Sequence, residues 1–156
     1  MYEKTVTATI GGTEYDLVYT LAAMLEVTER FGGVEEMAEA FQGPADEDGD
    51  TQDIKKQKEH DRKKAGILAL KEIPWLIALL ANQGIMLKTQ DTSPNNPALL
   101  TAAKVSLYVK PKNLEALTQK AMEAIAEGSM TEHETGDQER DLVMEEIEKN
   151  GEGAAE

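Results

Sequence analysis

The sequence predicts an α+β fold that is mainly α, with an N-terminal β-hairpin packed on a small helical bundle. Near the N-terminus, apolar and polar residues alternate over two short stretches on either side of Gly11-Gly12, which is the period of β-strands. Downstream, apolar residues recur at the spacing of amphipathic helices. The chain has 156 residues, of which 40% are hydrophobic, and this is enough to bury the core of one domain.

The two predicted strands form a hairpin. In residues 2–10, Val6, Ala8 and Ile10 alternate with threonines, so one face of this strand is expected to be buried. Gly11-Gly12 supplies the positive φ angles that a tight turn requires, and residues 13–18 resume the extended pattern.

A first helix is expected directly after the hairpin. The hydroxyl of Thr20 can cap it by accepting a hydrogen bond from a free N–H group of the first turn, and Gly32-Gly33 ends it. Its predicted apolar face consists of Leu21, Met24, Leu25 and Phe31, and its solvated face of Glu26, Glu29 and Arg30.

A second, short helix is predicted from apolar residues at positions i, i+3, i+4 and i+7, namely Val34, Met37, Ala38 and Phe41. Both helices are expected to pack back on the hairpin. Residues 43–53, GPADEDGDTQD, contain helix breakers, dense negative charge and no apolar residue beyond Ala45. They predict an exposed and mobile segment, the acidic loop.

A long helix is predicted from Ile54, with a basic first half and an apolar second half that runs from Ile67 to Ala81. The apolar half is too short and too charged to span a membrane, and it is expected to be a central core helix. Pro74 removes a backbone donor and disfavours helical geometry at the preceding residue, so a kink or break is expected near Ile73.

The basic run from Lys55 to Lys64 has three interpretations. It can be a nucleic-acid surface, but Asp53, Glu59 and Asp61 are interleaved with it, and a solvated face with ion pairs is the stronger interpretation. The same run can also hold the acidic C-terminal tail through charge, in a salt-dependent manner.

Two more helices complete the predicted domain, residues 1–130. Leu99–Tyr108 follows a polar loop with two prolines and predicts a short helix. Pro111 suits the first turn of the last helix, which Gly128 is expected to end. Its apolar face consists of Leu114, Leu117, Ala121 and Ile125.

Residues 131–156 predict a flexible acidic tail. They contain ten Asp or Glu against Arg140 and Lys149, a charge density that leaves little apolar surface to bury. Only Asp141–Asn150, DLVMEEIEKN, has enough apolar residues to form a helical segment.

Charge and composition disfavour several classes of protein. The formal net charge is -14 and the sequence pI is about 4.5, which opposes binding to nucleic acid or to an anionic membrane. The chain has no cysteine, so it has no disulfide, no thiolate nucleophile and no Cys-ligated metal, as suits a reducing cytoplasm. No signal peptide is expected after Met1.

No catalytic, cofactor-binding or metal-binding residues can be identified, so an enzyme is not expected. Residues 46–57 superficially resemble a calcium loop, but Gly49 stands at its fourth position and Gln57 at its twelfth. That loop requires Gly at the sixth position and Glu at the twelfth. His60 and His133 are far apart and surrounded by charged residues, and no nucleophile motif surrounds Ser93, Ser106 or Ser129.

The apolar inventory suggests both a core and a binding surface. Trp75, together with Leu76, Leu79 and Leu80, is interpreted as a core anchor. Methionine side chains are flexible and adaptable, which suits binding to varied helices, and this chain contains Met24, Met37, Met86, Met122, Met130 and Met144.

Both ends of the chain resemble a known family. IGGTEYDL followed by VYTLAAMLEVTERFGG, Ile10–Gly33, looks like the opening of the tail assembly chaperones of long-tailed, siphovirus-type bacteriophages and prophages. LEALTQKAMEAIAEGSM, Leu114–Met130, is similar to that family's small-residue helix, and DLVMEEIEKN resembles its final segment. The resemblance covers about half of the chain. The acidic loop and Ser129 depart from the family's pattern.

This resemblance implies a helper in tail morphogenesis. Such a protein binds the tape-measure protein, keeps that long apolar helical chain soluble and brings tail-tube subunits to it. It works in the cytoplasm of the bacterial host, is absent from the mature virion and is compatible with self-association. The resemblance names these partners but not the residues that contact them, and no nucleic-acid or membrane partner is expected.

The resemblance also implies a short form and a longer form made through a −1 ribosomal frameshift. Glu148-Lys149-Asn150 can be encoded as GAA AAA AAC or GAA AAA AAT, whose last seven nucleotides let both tRNAs pair again one base back. We therefore expect a longer product that shares the chain up to about Asn150.

Two other functions are weighed against the chaperone. A structural subunit of the virion tail or head–tail connector would stay in purified particles, whereas a chaperone would not. A small helical DNA-binding regulator would need a basic recognition helix, for which only Lys55–Lys64 is available, and the net charge disfavours it.

Overall fold

The computed structural model describes residues 5–130 and places them in a two-stranded antiparallel sheet and five α-helices. The described part is therefore α+β and mainly α, as predicted. In chain order its elements are β1 (Val6–Ile10), β2 (Thr13–Leu17), α1 (Leu21–Phe31), α2 (Val34–Gln42), α3 (Gln52–Thr89), α4 (Ala102–Tyr108) and α5 (Pro111–Ser129). The predicted tail, with its helical segment and His133, lies outside the described residues.

The hairpin is confirmed in position and in pattern. β1 and β2 pair antiparallel, with Val6 opposite Leu17. Gly11-Gly12 forms the turn with φ angles of 60° and 83°, and positive φ at both central residues is the geometry of the tight hairpin turn. Val6, Ala8 and Ile10 are buried.

The hairpin packs on α3 and α5. Just after β2, the Val18 N–H donates a hydrogen bond to the Leu80 carbonyl of α3 at 3.1 Å. Gly84 lets the two elements approach closely, because a Cβ at this position would clash with the Asp16 carbonyl. The buried face of the hairpin is thus covered by the two helices that follow it at long range in the chain.

α1 begins and ends where the sequence predicts. The Thr20 hydroxyl accepts a hydrogen bond from the Ala23 N–H at 3.1 Å, as expected for an N-cap. Gly32 ends the helix in the left-handed region, with φ of 94°, which is the usual role of glycine after a helix.

α1 and α2 pack on each other and on α3, so the prediction that they pack on the hairpin is wrong. α3 and α5 already cover the hairpin's apolar face, and α1 and α2 use another side of α3. Aromatic contacts fix this arrangement: the ring centroid of Phe31 lies 5.6 Å from that of Phe41 and 6.0 Å from that of Trp75.

α3 is one continuous helix, so the break predicted near Ile73 is wrong. Pro74 lies inside the helix and is buried. A proline in a helix interior costs about 3 kcal/mol or more, because a hydrogen bond is lost and the ring crowds the preceding turn. The hairpin, α2, α4 and α5 all pack around α3, and this packing offsets the cost.

The second half of α3 is the centre of the core, as predicted. Leu76, Ile77 and Leu80 have no exposed surface. Within residues 5–130, α3 is the only helix long and apolar enough to cross a membrane by length and composition. Of its most apolar 18-residue stretch, 44% is buried in the fold. A core helix passes the same test, so this is weak support for a membrane span.

Two asparagines, Asn82 and the buried Asn96, hold the connection from α3 to α4 by side-chain hydrogen bonds to its backbone. The Asn82 side chain donates to the Leu100 carbonyl at 2.8 Å and accepts from the Leu100 N–H at 2.7 Å. α4 begins at Ala102, later than the predicted start at Leu99, and Thr101 caps it. The predicted short helix is therefore present in a shorter form.

α5 has the predicted apolar face but not the predicted end. Leu117, Ala121 and Ile125 are buried. The helix continues through Gly128 to Ser129, so the prediction that Gly128 ends it is wrong. Gly128 instead allows a close approach, because a Cβ there would clash with the Tyr19 carbonyl.

The acidic loop is shorter than predicted, because Gln52 and Asp53 belong to α3. Residues 45–49 are exposed, as expected. Two side chains of α3 form hydrogen bonds to the loop. Lys58 Nζ donates to the Ala45 carbonyl and the Asp50 carboxylate, and Arg62 Nη1 donates to the Pro44 carbonyl and the Asp46 carboxylate, at distances of 2.8–3.2 Å.

Candidate partner-binding surfaces

Of the polar motifs singled out in the sequence, the calcium-like stretch forms ion pairs in the described part of the chain. Within residues 5–130, no three His, Cys, Asp or Glu side chains are grouped so that they could hold a metal ion. His60 is exposed. In the calcium-like stretch, Asp46 and Asp50 form ion pairs with Arg62 and Lys58, so these carboxylates attach the acidic loop to α3.

The basic run Lys55–Lys64 forms ion pairs, but with the acidic loop. Lys58 Nζ lies 2.8 Å from an Asp50 carboxylate oxygen, and Arg62 Nη1 lies 3.2 Å from one of Asp46. The hydrogen bond from Lys58 holds the pKa of Asp50 below its usual 3.8, and the same bond raises the pKa of Lys58 above 10.5. Two cations of the run are therefore partly neutralised, which reduces its attraction for phosphates.

The core interpretation of Trp75 is confirmed, and the methionines within residues 5–130 are divided between the core and the surface. Trp75 is partly buried and packs against the core. Met37 is fully buried and Met122 packs against the core, while Met24 on α1 is 44% exposed. Met24 is thus available for adaptable contacts with a partner, and it lies beside other exposed apolar residues of α1.

The most prominent candidate surface is the α1 apolar face, formed by Leu21, Met24 and Leu25. These side chains are 77%, 44% and 56% exposed. They stand at positions i, i+3 and i+4, so they share one side of the helix. The prediction that they face the core is wrong.

The residues that α1 buries are smaller and lie on a second stripe. Ala23 and Val27 have no exposed surface, and Phe31, four residues further on, packs against the core. This stripe has a spacing of i, i+4 and i+8, which is as helical as that of Leu21, Met24 and Leu25. The small side chains of Ala23 and Val27 let α1 lie close to the core, and Leu21, Met24 and Leu25 are left outside.

α1 is held firmly at both ends while it presents its apolar face. At its start, the Thr20 hydroxyl hydrogen bonds to the Gln83 side chain of α3. At its end, Arg30 Nε donates to a Glu72 carboxylate oxygen at 2.7 Å, and the Arg30 guanidinium lies 4.5 Å from the centroid of the Trp75 ring. A face fixed in this way loses little conformational entropy when a partner binds.

A second candidate surface is a groove between α3, α4 and the start of α5, named here the α3–α5 groove. Its volume is about 150 Å³, and it is lined by Leu70, Pro74, Ser106, Val109, Lys110, Pro111 and Leu114. Leu70 is 61% exposed, and Ile67, one turn earlier on α3, is 56% exposed. The groove is therefore an open, mainly apolar surface.

One buried polar group stands apart from both surfaces. The Tyr19 hydroxyl is buried and has no hydrogen-bond partner within residues 5–130, and burial raises the pKa of this phenol. Tyr19 borders a cavity of about 150 Å³ near Glu127 and Gly128. Thr5 and Glu127 also line this cavity, and no group of three His, Cys, Asp or Glu is found there among the described residues.

Comparison of the chain with protein-family models, with curated proteins and with solved structures gave no match. The resemblance of the terminal segments to tail assembly chaperones therefore stays a prediction. The surfaces described above are the physical basis on which a function can be proposed.

Proposed function

We propose that this protein is a tail assembly chaperone of a long-tailed bacteriophage or prophage. It binds the tape-measure protein, keeps it soluble and helps to recruit tail-tube subunits. The α1 apolar face carries the proposal, since three large apolar side chains there are 44–77% exposed on a firmly held helix. The resemblance of Ile10–Gly33, which contains this helix, supports the same function.

The chemistry of the face suits reversible binding to an apolar helix. Burying a Leu or Met side chain contributes about 1.5–3 kcal/mol, and part of this is lost to the entropy of association. One copy therefore binds weakly. A tape-measure protein presents many apolar segments, and several copies bound along one chain can keep it soluble although each contact dissociates readily.

Charge complements this role. Glu26 and Glu29 are exposed on α1 beside the apolar face, so client helices with basic residues flanking their apolar stripe are favoured. The net charge of -14 keeps a complex of many copies from associating further.

The exposed residues described above support the two alternative functions, a DNA-binding regulator and a structural subunit, less well. A DNA-binding regulator would use Lys55–Lys64, where Lys58 and Arg62 are engaged by the acidic loop. A structural subunit of the tail or connector is compatible with an exposed apolar face, and it is distinguished by its presence in purified particles.

Co-expression with the tape-measure protein of the same genome tests the proposal. We expect the tape-measure protein to be soluble with this chain and insoluble without it. Leu21→Asp should abolish the effect, because a charge in the apolar face opposes burial. Asp near a helix N-terminus is favourable for the helix, so this variant is expected to fold.

Leu87→Asp is the matched control. Leu87 is also an exposed leucine, at 61%, but it lies near the end of α3 and not on α1. It should keep the tape-measure protein soluble. Equal solubility with and without this chain would refute the chaperone function, and equal loss in both variants would refute the role of the α1 apolar face.

A further inference from the structure

The α3–α5 groove has a basic border in an otherwise acidic protein. Lys110 is the one charged residue among those that line the groove. Lys71 and Lys112 adjoin lining residues in the sequence, as does one acidic residue, Glu115. The groove therefore combines apolar walls with positive charge.

The apolar surface continues along α3 beyond the groove. Lys63, Ile67, Leu70 and Pro74 stand at positions i, i+4, i+7 and i+11, which places them on one side of the helix. Ile67 and Leu70 are both more than half exposed. An occupant with a short apolar stripe and acidic flanks would match this surface in both respects.

We propose that the occupant is residues 141–150 of the same molecule, DLVMEEIEKN. As a helix, this segment would place Val143, Met144 and Ile147 on one side, by their spacing of i, i+1 and i+4. Its acidic residues are Asp141, Glu145, Glu146 and Glu148, against one Lys149. The segment thus carries an apolar stripe that suits the apolar walls of the groove, and a negative charge that complements its lysine.

The chain is long enough for this contact. The groove lies at the start of α5, and α5 has 19 residues, so its far end is about 28 Å away at 1.5 Å per residue. Ten residues separate Met130 from Asp141, and an extended chain of this length spans roughly 33–36 Å. The tail can therefore return along α5 and reach the groove.

The contact does not depend on the identity of any client. It would cover an apolar groove by an intramolecular association, for which a short tether gives an effective concentration of the order of millimolar. Because charge contributes, the contact should weaken as salt screens it.

Disulfide trapping tests the contact in the full-length chain, which has no native cysteine. Ser106→Cys places a thiol in the groove wall, and Met144→Cys places one in the tail segment. Under mild oxidation at low protein concentration, we expect a disulfide within one chain, seen by intact mass, to form at least about tenfold faster than in the control pair. The control pair is Thr28→Cys with Met144→Cys, because Thr28 is exposed on α1.

Charge variants separate docking from chance collision. Lys110→Glu with Lys112→Glu in the Ser106–Met144 cysteine pair should slow trapping several-fold, as should high salt. Lys88→Glu with Lys120→Glu changes the net charge equally at exposed positions outside the groove, and it should leave the rate close to that of the parent pair.

Three outcomes would overturn the proposal. They are equal trapping rates in the Ser106 and Thr28 pairs, equal slowing by both charge variants, and a disulfide formed only between two molecules. The last result would assign the groove to a second copy of the chain.

Discussion

At the scale of single residues, small side chains determine how closely the elements approach. Gly84 and Gly128 face backbone carbonyls of the segment 16–19, where a Cβ would clash. Ala23 has the same effect for α1, because it has no exposed surface and lets the helix lie against the core. Larger residues at these places would separate the hairpin or α1 from its support.

Gly84→Ala should destabilise the fold by about 1–3 kcal/mol, because an atom added at a close contact forces the backbone to shift. Gly66→Ala is the matched control in the same helix, since a Cβ there would meet nothing within 4 Å. It should stabilise the protein by about 0.5–1 kcal/mol, because glycine loses more entropy than alanine on helix formation.

Urea unfolding of both variants measures these changes through the denaturation midpoint. If Gly84→Ala were as stable as Gly66→Ala, the close packing of β2 on α3 would be wrong. Both variants make the same substitution inside one helix, so the contribution of helix propensity cancels when their midpoints are compared.

At the scale of elements, the first half of α3 is attached to the acidic loop through charge. The hydrogen bond from Lys58 lowers the pKa of Asp50. Because this folded-state pKa is lower than the unfolded value, the ionised carboxylate stabilises the fold above the unfolded pKa. The contribution is lost as the pH falls through the folded pKa.

Lys58→Met should therefore lower the urea midpoint at pH 7, and this effect should diminish as the pH falls through the folded-state pKa of Asp50, where the ionised carboxylate is lost. In the variant, the pKa of Asp50 should rise toward its usual 3.8, as measured by carboxyl NMR titration. Lys64→Met is the control, because Lys64 is exposed and has no ion pair within residues 5–130. The same Asp50 pKa in all three proteins would contradict the contact.

At the scale of the whole molecule, one compact body carries two apolar surfaces that differ in the charge around them. The α1 apolar face is flanked by Glu26 and Glu29, whereas the α3–α5 groove is bordered by lysines such as Lys110. Opposite charge at the two surfaces would keep a client and the protein's own acidic segment from competing for one site.

A longer product is predicted at this scale from the Glu148-Lys149-Asn150 codons. If the gene uses GAA AAA AAC or GAA AAA AAT, intact-mass analysis of the gene expressed with its natural downstream sequence should show a second protein. That protein should share residues up to about Asn150 and then differ. A GAG codon for Glu148, an AAG codon for Lys149 or a single product would each exclude this prediction.

The sequence by itself determined the features that depend on neighbours along the chain. Alternation at Val6, Ala8 and Ile10 predicted the strand, and the Thr20 cap and Gly32 predicted the limits of α1. The spacing of Leu117, Ala121 and Ile125 predicted the buried face of α5. Strand period, capping and left-handed glycine geometry are local properties, so a short window of residues contains the necessary information.

Only the tertiary structure decided which side of α1 faces the core and whether α3 continues through Pro74. α1 has two apolar stripes of equally helical spacing, and packing against the core selected Ala23 and Val27 and left Leu21 and Leu25 exposed. In α3, contacts from elements distant in the chain offset the local cost of proline. Both outcomes depend on packing energies between segments far apart in sequence, which local periodicity does not contain.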